Sequence, residues 1–197
     1  RQAEREFKQA LALNPNYATA HQWYAWYLAA LGRSDEAIQE IQKALTLEPL
    51  SLVINTEVGA IHYFTGKYEG EVDPYKRTLE MDPDFALARL HLGFAYLADE
   101  RYDEAIQELE SAVRLSDSNP TMVAALGNAY VEAGKKNLAE KILTALRELS
   151  KKRYVSPAHL AGLCSALGRN EDAFTYLTKA MEERSASLVW MKMGRGF

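Results

Sequence analysis

The sequence predicts an all-α solenoid of stacked antiparallel helix pairs, and three periodic features predict it. Small residues recur at intervals of 34 positions or twice that: Ala3, Ala37, Ala105, Ala139 and Ala173 form one series, Gly32, Gly66, Gly134 and Gly168 a second, and Ala25, Gly59, Gly93, Gly127 and Ala161 a third. Each period holds two amphipathic helical patterns around a glycine-centred turn, and Pro15, Pro49 and Pro83 punctuate the early periods at the same interval. Self-similarity of this kind marks one supersecondary unit stacked repeatedly, each copy contacting mainly its neighbours.

Residues 1–17 supply only the second helix of a pair, with Phe7 and Ala10 on its apolar face. In the period 18–51 the first helix runs from His21 to Leu31, Gly32 and Arg33 make the turn, and the second helix runs from Ser34 to Leu47. Ser34 is the expected N-cap, Asp35 and Glu36 suit the positive end of the helix dipole, and Ala37, Ile41, Ala44 and Leu45 give the apolar stripe before Pro49 ends the helix. Full pairs follow at 52–85, 86–119, 120–153 and 154–187. The second-helix pattern returns as Asp103, Glu104, Ala105, Leu109 and Ala112, and as Glu171, Asp172, Ala173, Leu177 and Ala180. In the third period Glu71 and Thr78 replace alanines and Pro74 falls inside the second helix. An interior proline costs about 3 kcal/mol, so a kink or restart is expected, with Asp73 capping and Pro74 at the first helical position. Glu100 takes the place of a turn glycine, Asp117 stands where a proline is expected, and the 150–156 connection has no proline before Pro157. Residues 188–197 begin a further helix with Leu188, Trp190, Met191 and Met193 as its apolar content.

Composition excludes several function classes. The 197 residues are 48% hydrophobic with a net charge of −4, and acidic and basic residues are mixed along the chain, so no basic stripe offers a track for nucleic acid. The run Lys151 to Arg153 reads as a solvated turn. The single cysteine, Cys164, cannot form an intrachain disulfide and aligns with helix-packing positions. His21, His62, His91 and His159 lie on four different hairpins without zinc-ligand spacing, and no glycine loop cradles phosphate. Neither a catalytic site, a metal nor a cofactor is expected. No apolar run is long enough for a membrane span. The chain opens on Arg1, as expected of a fragment or processed form, and its compartment is left open between cytoplasm and periplasm.

The pairing of a large residue with a small one in the first helix (Tyr24 with Ala25, Leu92 with Gly93, Leu126 with Gly127), the turn glycines, the second-helix alanines and the closing prolines resemble the tetratricopeptide repeat family over essentially the whole chain. That resemblance implies a right-handed superhelix in which the first helix of each pair lines a concave groove that receives peptides or partner helices. On this basis the groove residues are Gln22, Trp26, Thr56, Tyr63, Phe64, Leu90, Phe94 and Asn128. Members that grip a chaperone's C-terminal carboxylate carry lysine, arginine and asparagine at such places, and only Asn128 fits that scheme. An apolar, aromatic groove favours an amphipathic helix or an extended hydrophobic segment, with Trp26, Tyr63 and Phe94 as anchors. Aromatic residues at helical spacing serve core packing equally well, and that alternative stays open.

The expected function is a non-catalytic protein-interaction scaffold, part of a larger protein, that binds a peptide or partner helix. Two stretches, His21 to Thr56, and Tyr154 to Pro157 with Glu182 to Ser185, are similar to the repeat tails of bacterial signalling proteins. The alternative is therefore a regulatory or oligomerising segment of a transcriptional regulator, kinase or cyclase, whose groove is filled by its own chain or by a second copy. Exposed apolar faces around Phe7 and Trp190 predict self-association through the open solenoid ends.

Overall fold

A computed structural model describes residues 2–66 and 72–188, and among these there are eleven helices and no strands. Glu71, Trp190, Met191 and Met193 lie outside the described residues. Contacts divide the chain into two compact units, Arg1–His91 and Leu92–Phe197. The first unit comprises α1 (Gln2–Leu13), α2 (Ala18–Ala30), α3 (Ser34–Leu47), α4 (Leu52–Phe64), α5 (Val72–Met81) and the opening turns of α6 (Ala86–Ala98). The second comprises the rest of α6, then α7 (Tyr102–Leu115), α8 (Pro120–Glu132), α9 (Lys136–Ser150), α10 (Pro157–Ala166) and α11 (Asn170–Glu182).

The turn glycines end their helices as the 34-residue series predicts. Gly32, Gly66, Gly134 and Gly168 all have φ between 72° and 77°, the left-handed region that costs a residue with a Cβ. After α2, the Gly32 N–H donates to Ala29 O and the Arg33 N–H to Leu28 O, the paired bonds that satisfy a helix's last carbonyls. The same pair closes α8 through Gly134 and Lys135, and α10 through Gly168 and Arg169. Glu100 keeps this geometry without glycine: its N–H donates to Leu97 O, the Arg101 N–H donates to Tyr96 O, and its φ is 59°. Asp117 has φ 49°, a value closed to proline, which explains why proline is absent there.

Three local expectations need correction. Helix α2 begins at Ala18, three residues before His21, and Ser34 is the first residue of α3, not its cap. Arg33 holds the capping position and makes no side-chain cap bond; its guanidinium instead pairs with Glu36, Nε to Oε1 at 2.7 Å. Asp73 and Pro74 both fall inside the first turn of α5, so Asp73 does not cap and Pro74 is not the first helical residue. Proline is tolerated in a first turn, where a donor has no intrahelical partner to lose. Thr78, in place of alanine, is fully buried and its hydroxyl donates to Pro74 O at 2.9 Å, so the substitution leaves no orphaned polar atom.

The third small-residue series lies where helices touch. A methyl group added at Gly127 would stand 2.9 Å from both Ile142 Cγ2 and Leu163 Cδ2, and one at Gly93 would stand 2.7 Å from Leu109 Cγ. Ala25, Ala37, Ile41 and Ile61 close the core of the first unit; Ala105, Leu109, Leu146 and Leu163 do so in the second. Each fully buried leucine or isoleucine contributes about 1.5–3 kcal/mol through removal of apolar surface from water. Cys164 belongs to this core: it is fully buried, and burial pushes its thiol up. Arg153 donates to Ser118 O at 2.6 Å and Lys151 pairs with Glu148, so two cations of the basic run are used within the fold.

Candidate functional face of the first helices

Helix α2 carries no Asp, Glu, Lys or Arg, and α4 a single acid, Glu57. Neither shows a narrow apolar stripe, because the first helix of each pair is covered on several sides. In the first unit, α2 packs on α3 and α4, and α4 on α5. This leaves the predicted groove residues more enclosed than a solvent-facing groove would leave them. Trp26 is 9% exposed and Tyr63 6%. Their rings meet around Phe64: Trp26 and Phe64 have centroids 5.5 Å apart at 63°, and Tyr63 and Phe64 have centroids 5.3 Å apart at 89°, both edge arrangements. Phe64 is only half-buried and is the ring of this trio with surface to offer. Thr56 is fully buried and its hydroxyl donates back to Leu52 O at 2.8 Å, so that position serves packing. Leu90, on the opening turns of α6, is also buried.

In the second unit, Phe94 is half-buried and Asn128 is 8% exposed. The side-chain oxygen of Asn128 has no hydrogen-bond partner. The structure thus brings Gln22, Trp26, Tyr63 and Phe64 onto one continuous patch of the first unit, and places Phe94 and Asn128 on the first helices of the second.

Sequence reasoning missed the residue that ties this patch together. Glu57 is buried, and the side chains of Gln22 and Trp26 hydrogen-bond to its carboxyl. Burial pushes the carboxyl above the usual carboxylate range, while those two bonds pull it down. Its Oε2 has no partner. The available signal was an acidic residue inside the otherwise uncharged run from Leu52 to Ile61, an environment in which an ionisable group asks for an explanation.

The histidines remain apart. His21 Nδ1 lies 2.5 Å from Glu40 Oε2 and its Nε2 lies 2.9 Å from Pro15 O, which ties α2 to α3 and to the preceding turn. His91 stacks on Tyr75 with centroids 5.9 Å apart, and burial holds it down to about 4; burial does the same to His159. Among the described residues no three His, Cys, Asp or Glu side chains gather as a metal site would need, and no helix is long and apolar enough to cross a membrane.

A second periodic series also escaped the sequence. The basic residue after three of the turns bridges to an acid: Arg33 to Glu4 at 2.7 Å, Lys135 to Asp103 at 2.9 Å and Arg169 to Glu140 at 2.8 Å. Each bridge joins successive second helices. The Arg33 guanidinium beside Glu4 holds that carboxyl down to about 2.

Comparison with known proteins fits this geometry. Tetratricopeptide repeat family models match residues 96–156, and residues 6–39 and 75–107. The anaphase-promoting complex subunit 3 of Schizosaccharomyces pombe is 29% identical over 140 residues, 70% of this chain and 21% of that protein. Hsp70-Hsp90 organizing protein 2 of Arabidopsis thaliana is 28% identical over 82 residues, 42% of this chain and 14% of that protein. The chain thus spans less than a quarter of the length of either relative. Among solved structures, a thermophilic TPR protein of Thermus thermophilus superposes with a TM-score of 0.71 at 20% identity, covering 89% of this chain and 96% of that one. PilW, a type IV pilus biogenesis factor, superposes with a TM-score of 0.69 at 19% identity, covering 96% and 88%. Repeat period, turn geometry, small-residue contacts and matched segments agree, and the chain belongs to the tetratricopeptide repeat family.

Proposed function

We propose that the chain is a non-catalytic protein-binding scaffold that takes a peptide or partner helix on the face formed by its first helices. The observation that carries this reading is the aromatic patch of the first unit, where Trp26 and Tyr63 are enclosed and rigid while Phe64 remains half-open. Rigid aromatic side chains beside a partly exposed ring give contact area at little entropic cost, as binding hot spots require. Gln22, Trp26, Tyr63 and Phe64 form the wall of this face in the first unit; Phe94 and Asn128 lie on first helices of the second. The names of two relatives, a complex subunit and an organizing protein, speak of assembly and support the same reading.

A photo-crosslinking residue placed at Phe64, against one placed at exposed Gln42 on α3, tests it in the full-length native protein. Adducts to another polypeptide from position 64 alone are the expected result. Equal labelling from both positions, or none from either, would overturn the binding face. Adducts to the chain itself would favour a groove filled by its own protein or by a second copy, the regulatory alternative.

A further inference from the structure

Glu57 is the residue of the first unit that packing does not account for. It is 8% exposed, its Oε2 has no hydrogen-bond partner, and the groups bonding its carboxyl, the indole of Trp26 and the amide of Gln22, are neutral. A buried carboxyl is ordinarily paired with a charge, and a buried acceptor left unmade carries a penalty that a donor arriving with a ligand removes. The corresponding positions of later periods hold His91, Ala125 and His159, so this carboxyl is a feature of one site and not of the repeat. Gln22 and Trp26 stand four residues apart on one face of α2 and meet Glu57 of α4 at the same seam. The Trp26 ring packs edge-on against Phe64, whereas the Gln22 side chain is long and unbranched and its bond to the carboxyl is neutral.

We infer that the partner of the first unit inserts a cationic side chain, lysine or arginine, against Glu57, displacing the Gln22 amide and lying beside the Trp26 ring. The inference rests on the binding face proposed above and names the chemistry that face selects. A charge-assisted bond is roughly twice as strong as the neutral bond it replaces. Gln22, Trp26, Thr56, Tyr63, Phe64 and Leu90 include no cation to repel the incoming one. The recognised segment is therefore apolar with a central basic residue, opposite in sign to a carboxylate-terminated peptide.

Two titrations of the whole chain separate this inference from the reading beneath it. In the first, n-butylguanidinium chloride and its neutral isostere n-butylurea are titrated while the indole N–H resonance of Trp26 is followed. The cation should give a saturable shift in the millimolar range, the urea should give none, and Glu57→Gln should abolish the cation's effect while helicity and Tm hold. Gln22→Ala should strengthen cation binding severalfold by removing the internal competitor. No saturable shift, or an equal shift with the urea or with Glu57→Gln, overturns the inference. In the second titration, an amphipathic leucine-alanine peptide with central arginine is compared with its norleucine counterpart. A tenfold preference for arginine that vanishes in Glu57→Gln is the expected result. Equal binding of the two overturns the cation site and leaves the groove standing. Binding of neither, beside a positive first titration, removes the groove reading and with it the peptide context of the inference.

Discussion

The place Trp26 holds in the 34-residue frame is filled by a large aromatic and by a small residue in each of the two units, although the frame itself does not change. In the first unit it holds Trp26, which packs on Phe64 and hydrogen-bonds to Glu57, and then Ala60; in the second it holds Phe94, Asn128 and Gly162 in turn, and the Asn128 oxygen has no partner. Left-handed turns and buried alanines recur in both. The frame is thus set by small residues at helix contacts and by turn geometry, and the first-helix face is free to vary from ring-filled to small. Substitution tests this directly. Trp26→Ala should cost about 3–5 kcal/mol, by cavity formation and by the loss of one of Glu57's two side-chain donors. Asn128→Ala should cost about 1 kcal/mol or less, since no hydrogen bond is lost. Urea denaturation of both variants checks the ratio; equal costs would dissolve the distinction between the faces.

Acid should act on the two units alike and so mark what they share. Burial holds both His91 and His159 down to about 4, against about 6.5 in an unfolded chain. The unfolded chain therefore binds more protons between those values, and stability is intact above about pH 6.5 and falls as pH drops toward 4. Each histidine should remove about 2 kcal/mol between pH 7 and pH 5. Urea midpoints at the two pH values, for the parent chain and for His91→Leu and His159→Leu, provide the measurement. Each substitution should flatten the pH dependence by a similar amount, and a response confined to one variant would separate the units in acid.

The close helix approach of the second unit gives a smaller effect of predictable sign. Alanine favours helix over glycine by about 1 kcal/mol, yet a Cβ at Gly127 meets Ile142 and Leu163 at 2.9 Å. Both neighbours would have to shift against a packed core, so Gly127→Ala should destabilise by about 1–2 kcal/mol net. A gain in thermal stability would show that the seam is looser than its geometry.

The frame was legible in the sequence and the site was only partly so, and particular residues show why. Gly32, Gly134 and Gly168 could be read because a left-handed backbone admits few residues, and Gly127 because close helix approach admits almost none. These are constraints of single positions, repeated every 34 residues, and period alone exposes them. Ser34 misled because capping depends on which residue leaves the helical conformation, and Arg33 does so one position earlier. Thr56 was assigned to the groove by register, but its hydroxyl turned inward to its own helix, a rotamer choice that no periodicity encodes. Glu57 stayed hidden because its role depends on two side chains from another helix, one period earlier in the chain.

Glu100 provides the finest test of whether the frame is set by backbone conformation alone. It makes the same two capping bonds as Gly32 in the first unit and Gly134 in the second, with φ 59° where the glycines have 76° and 72°. A side chain in the left-handed region costs about 1–2 kcal/mol, and glycine gives back about 0.5–1 kcal/mol through its greater freedom in the unfolded chain. Glu100→Gly should therefore stabilise by about 0.5–1 kcal/mol, and Gly134→Glu should lose a similar amount. Among the described residues the Glu100 carboxylate makes no ion pair to offset this, and Arg101 pairs with Glu104. Thermal denaturation of the reciprocal pair measures the term. Opposite shifts of similar size would make the turn a matter of backbone conformation, whereas a loss in both variants would mean that the Glu100 side chain holds a contact of its own.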